Sequence, residues 1–284
     1  MLRRDALLLS GAFMLAPGVA AEAAGPLSDV ERRFGIHLGV YASDIRSGKT
    51  LAYRAHERFP MASTVKVPVV MAVLDRVDRG KESLQRAIRF TRSDLVTSYS
   101  RIAREHPDGG VLPLETICSY TISESDNTGV DLLFRLAGGP QAVNAYVHRI
   151  GLSGIRVDRL ERQLPHDASL SDPRDTATPA AMAQLMRRLS VNSPLSPTST
   201  AVLLKWMRAT VTGDNRLRAG VPRGWRVADK TGTYANMAND VGLLYPPNGT
   251  PIAIAVYTLG KDPDVASGAI AQAASFAVHA LRRA

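Results

Sequence analysis

From residue 35 to 59 apolar and polar side chains alternate along GIHLGVYASDIRSGKTLAYRAHERF, with Ser47-Gly48 at the centre. Period-two alternation about such a turn pair predicts a β-hairpin. From about 61 to 210 the spacing becomes helical, in TVKVPVVMAVLDRVDRG, PLETICSYTI, NTGVDLLFRLAGGP, GPQAVNAYVHRIG, TPAAMAQLMRRLS and PTSTAVLLKWMRAT. Several of these runs begin at Thr, Asn or Pro and stop at Gly, as helix ends do. The last third returns to strands, WRVADKTGTY, NDVGLLYP and PIAIAVYTLG, and Pro247-Asn248-Gly249 is the turn between the last two. A closing amphipathic run, SGAIAQAASFAVHALRR, ends in arginines, which suit a helix C-terminus.

Strands at both ends with helices between them predict an α+β protein. The simplest arrangement pairs the first hairpin with the later strands in one antiparallel sheet covered by terminal helices. That gives an α/β sandwich lobe from 24–60 and 211–284, and an all-α lobe from 61–210 inserted between its halves. The crevice between lobes is the expected place for a site.

The first residues, MLRRDALLLSGAFMLAPGVAAEAAGPL, change the boundaries. A basic start (Arg3, Arg4), an apolar stretch and the small-residue pattern Ala21-Glu22-Ala23 predict a cleaved export signal over 1–23. Arg3-Arg4 also fits a twin-arginine signal. The apolar stretch is too short for a permanent span, so no membrane anchor is expected and the mature chain is expected to be periplasmic or secreted. The net charge of +9 brings in nucleic acid as a partner class. The arginines are scattered, however, and no basic strip is interleaved with aromatics, so solubility and a mild attraction to anionic surfaces is the simpler reading. A single cysteine, Cys118, excludes an intramolecular disulfide and reads as a buried free thiol. The six histidines (37, 56, 106, 148, 166 and 279) form no metal-binding spacing, and no phosphate-binding glycine loop is present, so neither metal nor cofactor is expected.

Chemistry enters with Ser63 and Lys66, in ASTVKVPVV. Three residues apart on a helix, hydroxyl and ammonium share a face. The positive end of the helix dipole and burial both favour the neutral amine, which can take a proton from a serine. Alone, the pair reads more simply as a helix cap beside a snorkelling lysine. Ser125-Asp126-Asn127 alone is a helix cap, and Lys230-Thr231-Gly232 alone puts a lysine on an edge strand. Together, in this order and in these contexts, the three motifs are those of serine β-lactamases and penicillin-binding proteins. Two of the chain's six lysines fall in them.

From about residue 28 onward the sequence resembles the class A serine β-lactamases. VDRLERQL is similar to the start of their Ω loop and SDPRDTATPAAMAQLMRRL to its exit, while GGP (138–140) and TGDNRLRAGVPRGW also match. The resemblance implies a five-stranded antiparallel sheet flanked by helices, the fold shared with D,D-peptidases. It also implies a monomer and a small-molecule β-lactam substrate. Ser63 would attack the lactam carbonyl, with Lys66, or Glu161 through a water, taking its proton. Backbone N–H groups of Ser63 and Thr233 would form the oxyanion hole. Ser125 would relay a proton to the leaving nitrogen, and Asn127 would hold the acylamide side chain. Lys230, Thr231, Gly232 and Thr233, with Arg216, would bind the substrate carboxylate; a surface arginine is the alternative at 216. Glu161 would activate the water that hydrolyses the acyl-enzyme. A D,D-peptidase or a penicillin sensor that acylates and stops remains the alternative function.

Two departures bear on that last step, and a third lies beyond Thr233. Pro165 stands where the family has an asparagine that helps hold the water, leaving Gln163 and His166 as candidates. Asp131 replaces the asparagine that supports a cis peptide after the glutamate, so a trans Glu161–Arg162 bond is expected. Residues 234–240 are shorter than the corresponding family turn.

Overall fold

Alternation sorts each strand's side chains between the two faces of a sheet. The computed structural model describes residues 20–165 and 168–282, so the export signal as far as residue 19, and His166, lie outside the described residues. The strands are β1 (His37–Asp44), β2 (Thr50–Tyr53), β3 (Phe59–Pro60), β4 (Ala87–Thr91), β5 (Gly109–Pro113), β6 (Ile155–Arg156), β7 (Thr176–Ala177), β8 (Arg226–Tyr234), β9 (Met237–Tyr245) and β10 (Ile252–Leu259). Five of them form one antiparallel sheet in the order β2-β1-β10-β9-β8. The helices are α1 (Ala20–Phe34), α2 (Lys66–Asp78), α3 (Arg101–Glu105), α4 (Leu114–Ser123), α5 (Asn127–Ala137), α6 (Pro140–Arg149), α7 (Pro179–Ser190), α8 (Pro197–Arg208), α9 (Leu217–Gly220) and α10 (Pro263–Arg282).

On the outer face Leu38, Val40 and Ala42 of β1 and Ile252, Ile254 and Val256 of β10 join Leu27 and Val30 of α1 and the alanine-rich side of α10. On the inner face Ala253, Ala255 and Tyr257 join the larger core of α2 and α4–α8. Gly39 is the exception on β1, because a Cβ there would lie 2.4 Å from the Phe59 ring. The unbroken apolar run of α2 is explained by its place: every residue from Lys66 to Asp75 is buried, so it is the central helix of that core.

The helical stretch holds more than helices. β4 and β5 make a two-stranded ribbon, and β3, β7 and β6 a small sheet. α7 packs against β1 and β10, on the sheet's inner face. α1, which the sequence reading left unassigned, runs into the stretch set aside as signal. Leu27, Val30 and Phe34 recur at helical spacing and pack on the sheet.

The small sheet matters for the site. Ile155 pairs with Ala177 and Arg156 with Thr176, which brings the two ends of loop 157–175 together. A loop closed at its neck in this way is an Ω loop. Inside the neck, Asp175 Oδ1 accepts the N–H groups of Asp158 (2.8 Å) and Arg159 (3.0 Å), and Asp175 Oδ2 pairs with the Arg159 guanidinium.

Candidate active site

The site lies where β8, the first turns of α2, the α4–α5 junction and the Ω loop converge. Ala62–Val65 is a 3-10 turn that passes directly into α2. Ala62 (φ 45°) and Ser125 (φ 60°) both take left-handed backbone angles. Such conformations cost of order 1–3 kcal/mol in non-glycine residues, and they cluster where surroundings must aim a side chain. Here they aim two serines at the same amine.

Lys66 Nζ lies 2.8 Å from Ser63 Oγ, 2.7 Å from the Ser125 carbonyl, 3.2 Å from Ser125 Oγ and 2.5 Å from Asn127 Oδ1. Four oxygens surround a group that has at most three N–H bonds. In the neutral form two N–H bonds remain for these contacts and a serine hydroxyl can donate to the lone pair. Full burial pushes the Lys66 pKa down in the same sense, while the carboxylates of Glu161, Asp126 and Asp131 oppose it. Glu161 Oε2 is 4.0 Å from Lys66 Nζ.

Lys230 closes the chain of groups. Its Nζ donates to Ser125 Oγ at 3.0 Å and to the Thr231 carbonyl at 2.9 Å. Although β8 is an edge strand, Lys230 is fully buried. Burial, and then the charge of Lys66, hold its pKa well below the usual lysine range, against the pull of Asp229 and Asp240. Ser125 Oγ thus lies between two perturbed amines.

Glycine at 232 is a packing requirement. A Cβ there would meet the Met61 carbonyl at 2.7 Å, the Ala62 Cβ at 3.2 Å and the Ser63 nitrogen at 3.3 Å. Its absence lets β8 lie against the turn that carries Ser63. Thr231 is buried and shares a 2.6 Å hydrogen bond with Thr212, while Thr233 stands exposed at the strand's open end.

Arg216 is buried, so the surface-arginine alternative does not hold. Its guanidinium donates to the carbonyls of Gly232 and Asn239, both at 3.0 Å, to Thr233 Oγ1 at 2.8 Å and to Ser267 Oγ at 3.0 Å. Burial lowers its pKa, while Asp240, Asp229 and Asp264 oppose the shift. It braces the strand that carries Gly232 and Thr233.

Asn127 opens α5, whose cap is Asp126. Asp126 Oδ1 accepts from the Gly129 N–H at 2.7 Å and the Ser100 hydroxyl at 2.9 Å, and Oδ2 accepts from the Ile102 N–H at 2.9 Å. On the Ω loop Glu161 begins a three-residue 3-10 turn, Glu161–Gln163. Its backbone N–H donates to Asp131 Oδ1 at 2.8 Å. The Glu161–Arg162 peptide is trans, as expected from Asp131. Gln163 turns its amide oxygen to the Leu160 N–H at 3.0 Å, so that oxygen caps the turn instead of facing the cleft.

Ser63, Ser125, Asn127, Glu161, Thr231 and Thr233 line one cleft of about 740 Å³, large enough for a drug-sized molecule. Two contributors to its surroundings were missed in the sequence. Tyr99, 83% exposed at its mouth with φ 47°, sits in a serine-rich loop that carries no periodic signal. Asn236, in the turn between β8 and β9, donates to the Ala168 carbonyl of the Ω loop at 3.0 Å. Beneath that loop lies a second, mostly apolar cavity of about 200 Å³ bounded by Phe134, Leu164, Pro165 and Met237. Among the described residues no cluster of His, Cys, Asp and Glu could hold a metal ion.

Fold and site together define a serine hydrolase: a serine hydroxyl within hydrogen-bond reach of a buried amine whose pKa burial lowers. Comparison with known proteins carries the assignment further. The Beta-lactamase enzyme family model matches residues 23–281. A β-lactamase of Bacillus amyloliquefaciens is 39% identical over 256 residues, covering 89% of this chain and 82% of its own. The carbapenem-hydrolyzing β-lactamase KPC of Klebsiella oxytoca is 36% identical over 262 residues, covering 91% and 88%. A solved ancestral class A β-lactamase superposes with a TM-score of 0.86 at 43% identity, covering 91% of this chain and 99% of its own. The chain belongs to the class A serine β-lactamase family and is a β-lactam-hydrolysing enzyme.

Proposed function

We propose that this enzyme opens the β-lactam ring in two acyl transfers with the following division of labour. Neutral Lys66 takes the Ser63 proton as Ser63 Oγ attacks the lactam carbonyl. The backbone N–H groups of Ser63 and Thr233 receive the developing oxyanion, donors typically worth about 2.7–4 kcal/mol each. The C–N bond then breaks and the proton passes from Lys66 through Ser125 Oγ to the leaving nitrogen, with Lys230 beside it. Asn127 holds the acylamide side chain. Lys230, Thr231 and Thr233, braced at Gly232 by Arg216, hold the substrate carboxylate. In the second half Glu161 takes a proton from water as the water oxygen attacks the Ser63 ester; the C–O bond to Ser63 then breaks, and the proton held by Glu161 returns to Ser63 Oγ by way of Lys66 as the acid leaves.

The observation that carries this reading is the convergence of Ser63, Ser125 and Glu161 on Lys66 Nζ, at 2.8, 3.2 and 4.0 Å. A carboxylate at that place supports turnover over the D,D-peptidase and sensor alternatives, which have no use for it. Hydrolysis of the antibiotic gives its carrier resistance. Destroying it before it reaches the cell wall requires an exported enzyme, and the basic and apolar start of the chain supports export to the periplasm or medium. Among the described residues no helix is long and apolar enough to cross a membrane.

A chromogenic cephalosporin tests the reading. Many turnovers per enzyme molecule are expected from the wild type and none from Ser63→Ala. A single stoichiometric burst from the wild type would instead make the protein a penicillin-binding sensor.

A further inference from the structure

Leu160 packs against the helical core, but apolar anchoring stops there, for none of the residues of the Glu161–Gln163 turn is buried. Its place is set by polar contacts, and these centre on Asp131 of α5, whose side chain is 3% exposed. One carboxylate oxygen accepts the Glu161 N–H at 2.8 Å, and the other accepts Arg162 Nε at 2.7 Å. The rest of the Arg162 guanidinium is also engaged: Nη1 donates to the Ser93 carbonyl at 3.1 Å and Nη2 to the Asp94 carbonyl at 2.8 Å. The 92–94 turn it grips is itself fixed, because Asp94 accepts the Thr91 N–H and pairs with Arg135. Residues 95–99 beyond that turn line the cleft opposite the Ω loop.

We infer that Arg162 is a positioning residue for Glu161. Its planar fork joins Asp131 to two carbonyls at once, and so fixes the carboxylate that holds the Glu161 backbone and ties the Ω loop to the facing wall of the cleft. Lysine, a single point charge, cannot make the same set of bonds. The inference rests on the proposed role of Glu161 in hydrolysing the acyl-enzyme. Its effect therefore falls on deacylation and spares acylation, which uses Ser63 and Lys66. Arg162 is 40% exposed but its partner Asp131 is buried, so Arg162→Ala also lowers stability by leaving that carboxylate part-unpaired, and the kinetics are read on protein shown to be folded.

The test is steady-state and intact-mass kinetics of Arg162→Ala with a good penicillin substrate. When deacylation alone slows, kcat and KM fall by the same factor and kcat/KM stays. Arg162→Ala is expected to lower kcat and KM together by roughly tenfold or more, the scale of a misplaced catalytic group. The acyl-enzyme is expected to become the main steady-state species, and Arg162→Lys to recover part of the loss. Arg162→Gln carries the same expectation should the alanine variant not fold. Unchanged constants, a fall in kcat at constant KM, or a fall in kcat/KM would each overturn the inference. Glu161→Ala, run in parallel, separates the two layers. If it too accumulates no acyl-enzyme, the role of Glu161 is wrong; if it does and Arg162→Ala does not, only the inference about Arg162 fails.

Discussion

At Gly232 the absence of a side chain has a measurable chemical use. An added Cβ meets two backbone atoms and the Ala62 side chain, none of which is the free end of a flexible group. Gly232→Ala should push β8 from the Ser63 turn and lower kcat/KM by about a hundredfold, since an ångström of misplacement can cost that much. Retention of wild-type kcat/KM in that variant would show that the strand can yield. Lys66 offers a second test at this scale. As the base it must be neutral, so kcat/KM should fall as pH falls through its pKa. Burial lowers that pKa and the Asp131 carboxylate raises it, so Asp131→Asn lowers it further. The acid limb of the kcat/KM profile should move to lower pH in Asp131→Asn; a limb moved to higher pH would contradict this assignment of the base. Both lysines and the glycine were legible in the sequence, because motif order fixed them. Arg162 was not, because its meaning depends on Asp131, distant along the chain, and on two carbonyls that carry no sequence signal.

Among the elements, helices declared themselves best. Their apolar spacing and caps are local, and α2, α4–α8 and α10 formed where the periodicity put them. The β4–β5 ribbon did not, since each partner is five residues long and they meet across α3. The β6–β7 pair is two residues long, too short for any alternation to show, yet it closes the neck of the Ω loop. The cap of α5 has more duties than a helix cap needs: Asp126 holds the helix start and also the Ser100 hydroxyl and the Ile102 N–H. Asp126→Ala loses all three buried bonds at once, and should cost about 2–4 kcal/mol of stability by urea unfolding. It should also loosen the segment that presents Ser125 and Asn127. A loss below about 0.5 kcal/mol, the range of ordinary surface changes, would mean that the loop finds other partners.

Over the whole molecule, two cores meet at one sheet. Its outer face is sealed by α1 and α10, and its inner face carries the helical core, so the edge strand β8 is left facing the cleft beside α2. Buried lysines from a strand and a helix then converge on Ser125, although residues 66 and 230 are far apart in the chain. The single antiparallel sheet could be read from strands at both ends of the sequence, but the placement of α7 against it could not, because its apolar face fits either core. The proposed mechanism uses this arrangement for one sequence of events, acylation of Ser63 followed by hydrolysis assisted by Glu161. The most direct measurement is time-resolved intact-mass spectrometry of wild type and Glu161→Ala mixed with a penicillin, followed by peptide mapping. The wild type should clear its adduct within the time of turnover. Glu161→Ala should hold one substrate mass per molecule, on the peptide containing Ser63. Wild-type turnover by Glu161→Ala, or an adduct on any other residue, would contradict the mechanism.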